Sequence, residues 1–183
     1  DGTRSMAGEP TETLKRQMRQ LVDDIDLANN PTTRVAVVEI NQPSKRLCAL
    51  TQSVSQIHGC IDRLASDGGS DIAGAIGLAT EEMGAGRAGV LDRDAIREVI
   101  LVLTDGGNSA GCGPVQAIAG QAKGQGILMM TACVTAGCDP TCMRSAATSP
   151  RYCPAEFEFA SIQEVPRCLP RAACRRRAPH PQP

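Results

Sequence analysis

The chain has 183 residues, 42% hydrophobic and 2% aromatic, and 19 Lys plus Arg against 20 Asp plus Glu give a net charge of −1. That length makes one domain with a full core, and no apolar run approaches a membrane span. The even charge balance speaks against a nucleic-acid binder, although Arg167, Arg171, Arg175, Arg176 and Arg177 make the C-terminal end basic. With no Trp and only Tyr152, Phe157 and Phe159, ring-stacking platforms are disfavoured too. Nine cysteines point to an oxidising compartment, and the odd count leaves at least one thiol unpaired within the chain.

From Thr11 to about Leu27, Leu14, Met18, Leu21, Val22 and Ile25 fall at helical spacing. Pro10 suits the first turn, and Asn29-Asn30-Pro31 is the expected stop. Arg34–Ile40 reads as a strand, Asn41–Ser44 as a turn and Arg46–Leu50 as a second strand, hence a hairpin. Ser53–Leu64 predicts a short helix with Val54, Ile57 and Ile61 inward. The loop Ser66–Ser70 leads into a helix over Asp71–Met83, whose Ala and Gly residues suit close packing on a sheet. Gly84 to Asp94 reads as a flexible insertion.

Glu98–Thr104 is apolar on both faces, as a buried parallel strand should be, and Asp105-Gly106-Gly107-Asn108 follows at its carboxyl end. Pro114–Lys123 is a helix closed by Gly124, and Gly126–Val134 a further buried strand. A short helix over Pro140–Ala147, a last strand over Glu156–Ala160 and a helix over Ser161–Leu169 complete the pattern. Alternating helices and buried strands predict an α/β, Rossmann-like, doubly wound and mostly parallel sheet with one antiparallel edge strand and helices on both faces. The domain is placed at residues 1–170, and 171–183 as an Arg- and Pro-rich disordered tail or linker.

In such folds ligands bind where loops converge at the carboxyl ends of strands. Asp1-Gly2-Thr3-Arg4-Ser5 puts one carboxylate and two hydroxyls on alternate positions of a tight loop. Hard divalent cations such as Mg²⁺ prefer oxygen ligands of this kind. Ser70 and Asp105 sit in two further loops that can reach the same sheet end.

Together these stretches resemble the metal-ion-dependent adhesion site of the von Willebrand factor type A domain, over nearly the whole chain. That site is written Asp-x-Ser-x-Ser, then a Thr in a second loop, then an Asp after a buried strand. Here the three elements are Asp1-Gly2-Thr3-Arg4-Ser5, Gly68-Gly69-Ser70-Asp71-Ile72 and Ile100–Gly106, and both substitutions (Thr3 and Ser70) keep a hydroxyl. Met143–Tyr152 is similar to bacterial members. The family sets a hydrophobic strand before the first Asp. The chain starts at Asp1, which reads as a fragment or cropped domain lacking that strand.

The resemblance implies metal ligation by Asp1, Thr3, Ser5, Ser70 and Asp105, with Arg4, Gly106 and Asp71 on the ligand-binding rim. It implies Mg²⁺ (or Mn²⁺ or Ca²⁺), with an open position filled by an acidic side chain of a protein partner. That is binding rather than turnover, at an extracellular, cell-surface or periplasmic location.

Rival readings are an α/β enzyme with a nucleotide or metal-dependent hydrolytic site, and a structural zinc site. Gly111-Cys112-Gly113-Pro114-Val115-Gln116 starts too far beyond its strand for a dinucleotide turn, and Gln116 replaces the third Gly. His58 and Cys60 diverge on a helix, so His58 is expected to be an exposed polar residue. Cys133, Cys138, Cys142 and Cys153 are candidate zinc thiolates, but disulfides are the simpler reading. Pairing does not follow from the sequence. Cys112 and Cys138 follow neighbouring strands at one sheet end and make a reasonable pair, and Cys133 is the expected free thiol.

Overall fold

The computed structural model describes residues 1–86, 98–134, 140–148 and 158–159. Helix α1 (Glu9–Ile25) follows Gly8 and carries Pro10 in its first turn. It ends at Asp26, which is left-handed (φ 52°), before the expected Asn-Asn-Pro stop. Strands β1 (Val35–Glu39) and β2 (Lys45–Thr51) form the expected antiparallel hairpin, with a cis Gln42–Pro43 bond in its turn. Helix α2 (Val54–Asp62) begins where the Ser53 hydroxyl accepts the Gln56 N–H at 3.3 Å. Helix α3 (Ile72–Gly86) holds the outer edge of β2: Glu82 pairs with Arg46 and accepts the Leu50 N–H at 2.8 Å.

Strand β3 (Val99–Thr104) pairs in parallel with β4 (Leu128–Cys133), and β4 with β5 (Glu158–Phe159). Helices α4 (Cys112–Gly124) and α5 (Pro140–Ala146) complete the order. Because side chains alternate along a strand, β3 and β4 build two cores. Ile100, Val102 and Met129 pack on Ile76 of α3, Val115 and Ala119 of α4 and Met143 of α5. Leu103, Met130 and Ala132 point the other way, onto Met6 and onto Leu14 and Leu21 of α1. Helices therefore cover both faces, as a doubly wound α/β sheet requires. A third core joins Val22 and β1 to Ile57 and Ile61 of α2. Each such side chain removed from water contributes about 1.5–3 kcal/mol.

Four expectations change. Cys112 is bridged to Cys142, not Cys138, because the first turn of α4 lies against α5 (Cα–Cα 5.0 Å). Cys48 is bridged to Cys60 across β2 and α2. Cys133 is disulfide-bonded rather than free; it stands half-buried at the loop end of β4, not within the strand's sealed interior. With Cys133 and Cys142 both bridged, the four-thiolate zinc set does not form. His58 is only partly exposed, its Nε2 lying 3.2 Å from Asp23 Oδ1 on α1. Helix α3 runs into the expected insertion. Residues 87–97, Cys138, Cys153, the helix at 161–169 and the tail at 171–183 lie outside the described residues.

Candidate metal centre

Segment 1–3 lies between the carboxyl ends of β1 and β3. The Gly2 N–H donates to the Ile40 carbonyl just past β1 (2.8 Å), and Thr3 makes a parallel bridge to Gly68. Asp1 reaches the other way. Its Oδ2 accepts the hydroxyl of Thr104, the last residue of β3, at 2.6 Å, while its Oδ1 accepts the Thr3 N–H at 2.9 Å. Asp1 and Thr3 are buried, at 5% and 4% exposure.

From this anchored end the polar groups run outward. Thr3 Oγ1 and Ser5 Oγ are 2.8 Å apart, and the Ser5 hydroxyl donates to Asp105 Oδ2. Asp1, Thr3, Ser5 and Asp105 are thus joined in one chain of contacts, with Ser5 near the surface on the turn Arg4–Met6. No Lys, Arg or His pairs with either carboxylate among the described residues.

Ser70 stands apart from those four. Its hydroxyl donates to the Gly107 carbonyl, and its backbone exchanges bonds with Ser109 at 3.1 and 2.9 Å. The second and third loops are therefore stitched together, and Asn108 Oδ1 adds a bond from the Ile72 N–H at 3.0 Å. On the rim, Arg4 is exposed and its N–H donates to the Gly68 carbonyl. Gly106 adopts φ 94°, where a side chain would be strained. Asp71 caps α3 through the Gly74 N–H at 2.9 Å.

A family model described as the von Willebrand factor type A domain matches residues 1–168. The chain belongs to this family. Among curated proteins none matches this von Willebrand factor type A domain. Solved structures do. Proximal thread matrix protein 1 from the mussel byssus superposes with a TM-score of 0.70 at 20% identity, over 92% of this chain and 43% of that one. Manganese-loaded TRAP of Plasmodium vivax gives 0.73 at 15% identity, over 94% and 70%. BatB of Bacteroides thetaiotaomicron gives 0.65 at 16%, over 94% and 95%. Identities this low establish the fold alone, and the chain spans less than half of the mussel protein's length. A further structure of that mussel protein has a zinc-occupied MIDAS motif.

The donor set suits a hard divalent cation. Every candidate ligand is an oxygen, two are carboxylates, and four of the residues are linked in series by hydrogen bonds. No three His, Cys, Asp or Glu side chains gather as a metal site among the described residues, so a cation held here would draw on hydroxyl oxygens as well.

Sequence reading missed the residues that hold these loops. Thr104 is wholly buried, and the signal was a hydroxyl ending an otherwise apolar strand. Asn41, in the turn after β1, is 3% exposed; it donates to Asp67 at 3.1 Å and packs against Gly68. Ser44 Oγ donates to the Asp71 carbonyl at 2.7 Å. Asn108 and Ser109 carried no signal, because their partners lie in another loop.

Proposed function

We propose that this domain is a divalent-metal-dependent protein-binding module. Asp1 and Asp105 supply charge, and Thr3, Ser5 and Ser70 supply hydroxyl ligands for Mg²⁺, Mn²⁺ or Ca²⁺. The observation that supports this reading is the contact chain Asp1–Thr3–Ser5–Asp105, which links two carboxylates and two hydroxyl-bearing residues with no Lys, Arg or His paired to the carboxylates among the described residues. When bound, the ion offers an open position to an acidic side chain of a protein partner. Arg4, Gly106 and Asp71 form the rim around it. Manganese in TRAP and zinc in the mussel protein support divalent binding in domains of this shape.

The module is not an enzyme in this reading. Cys60 is bridged and His58 faces Asp23, so this Cys–His pair offers no nucleophile and base. Residues 1–170 form the binding domain and 171–183 a tail. Described disulfides support an extracellular, cell-surface or periplasmic location. No helix among the described residues is long and apolar enough to cross a membrane.

Calorimetric titration with Mg²⁺ and Mn²⁺ tests the reading. Saturable binding by the wild type and its loss in Asp105→Ala are expected. Unchanged affinity in Asp105→Ala would overturn the site.

A further inference from the structure

Beneath the first loop lies a carboxylate that the proposed site does not use. Glu39, the last residue of β1, is 2% exposed. Its Oε1 accepts the Ala65 N–H at 2.7 Å, on the segment that leads to Gly68 and Ser70. It also lies against the backbone of the first loop. A Cβ placed on Gly2 would overlap the Ala65 carbonyl and sit 2.9 Å from Glu39 Oε1. Gly2 stands between the candidate ligands Asp1 and Thr3, so only glycine lets the loop come down onto this acid.

No Lys, Arg or His forms an ion pair with Glu39 among the described residues. The α-amino group of Asp1 feels the charge of Glu39, but burial lowers its pKa from 8.0 to about 6, so at pH 7 it is mostly neutral. A buried carboxylate with so little counter-charge is costly, and one backbone N–H offsets only part of that cost. Asp1 and Asp105 add like charge on the other side of the loop. An acceptor for the Ala65 N–H could be supplied by a neutral Gln, so the charge itself calls for a reason.

We infer that Glu39 is a positioning residue for the proposed metal centre, a third carboxylate whose buried charge a bound cation would offset. This rests on the metal-binding reading. Glu39 seats the first and second loops through Gly2 and Ala65, strengthens the hold on a divalent ion, and makes the metal-free protein less stable than a neutral side chain would. Cation occupancy and fold stability are thereby linked.

The substitution Glu39→Gln separates charge from shape, because the amide oxygen still accepts from Ala65. Melting after chelation and Mn²⁺ titration by calorimetry are the two readouts. Expected are a metal-free Tm higher by roughly 3–6 °C and an Mn²⁺ affinity weaker on the order of tenfold. Glu39→Met, uncharged and similar in size but without an acceptor for the Ala65 N–H, should weaken Mn²⁺ binding likewise while gaining less in Tm. A role confined to accepting the Ala65 N–H predicts wild-type values for Glu39→Gln in both measurements, and that result overturns the inference. So does a lower metal-free Tm, or loss of the fold, in both variants. Asp105→Ala in parallel tells the two failures apart: retained Mn²⁺ affinity there removes the site itself, whereas a neutral Glu39→Gln beside an inactive Asp105→Ala removes only the part given to Glu39.

Discussion

The Thr104 hydroxyl donates to the Asp1 carboxylate at 2.6 Å, across 103 positions of sequence, and both side chains are buried. This bond ties the first loop to the end of β3 and aims the remaining polar groups outward. Thr104→Val keeps the shape and removes the donor. Leaving a buried carboxylate oxygen short of a partner should cost about 1–3 kcal/mol. Denaturant unfolding should show that loss, and Mn²⁺ titration should show weaker binding. Unchanged values in both would mean the Thr3 and Asp105 N–H groups suffice to hold Asp1.

Ser70 is the candidate ligand with no hydrogen bond to the other four. Ser70→Ala removes its bond to the Gly107 carbonyl and its hydroxyl ligand together, whereas Ser70→Thr keeps a hydroxyl. Metal affinity should fall on the order of tenfold in the first and stay near wild type in the second. Equal affinity in wild type and Ser70→Ala would remove Ser70 from the ligand set and leave it as a clasp between two loops.

Two glycines should respond oppositely to alanine. A Cβ on Gly68 would overlap the Asn41 side-chain oxygen, which is already committed to the Gln42 N–H. Gly68→Ala should therefore destabilise by about 1–3 kcal/mol through forced displacement of the second loop. Gly59 lies inside α2 with nothing within 4 Å of its added Cβ, so Gly59→Ala should stabilise by about 0.5–1 kcal/mol. Thermal melts of the two variants should move in opposite directions.

The Cys112–Cys142 bridge spans 30 positions and pins the start of α4, immediately after the third loop, to α5. Cys112→Ser should cost about 3–4 kcal/mol on loop-closure grounds and loosen the loop that carries Asp105. Peptide mapping without reductant should recover Cys48 linked to Cys60 and Cys112 linked to Cys142, with Cys133 protected from alkylation. Nine alkylatable thiols in native-purified protein would defeat both the bridges and the export reading.

Local pattern was enough for much of this protein. Apolar spacing at Leu14, Leu21 and Val22 marks α1, and the unbroken run Val99–Leu103 marks a strand buried on both faces, because both signals lie within a few adjacent residues. The hydroxyl and carboxylate spacing of Asp1, Thr3 and Ser5 was readable for the same reason. Other features depend on distance in space between segments far apart in the chain. Nothing near Cys112 selects Cys142 over Cys138; only the packing of α4 on α5 does. Nothing near Glu39 says that a carboxylate ending β1 lies sealed beneath Gly2 rather than in solvent, because burial is set by what folds over a residue. Thr104, Asn41 and Asn108 belong with these, since a hydrogen bond between loops is made by backbone placement that only the assembled sheet provides.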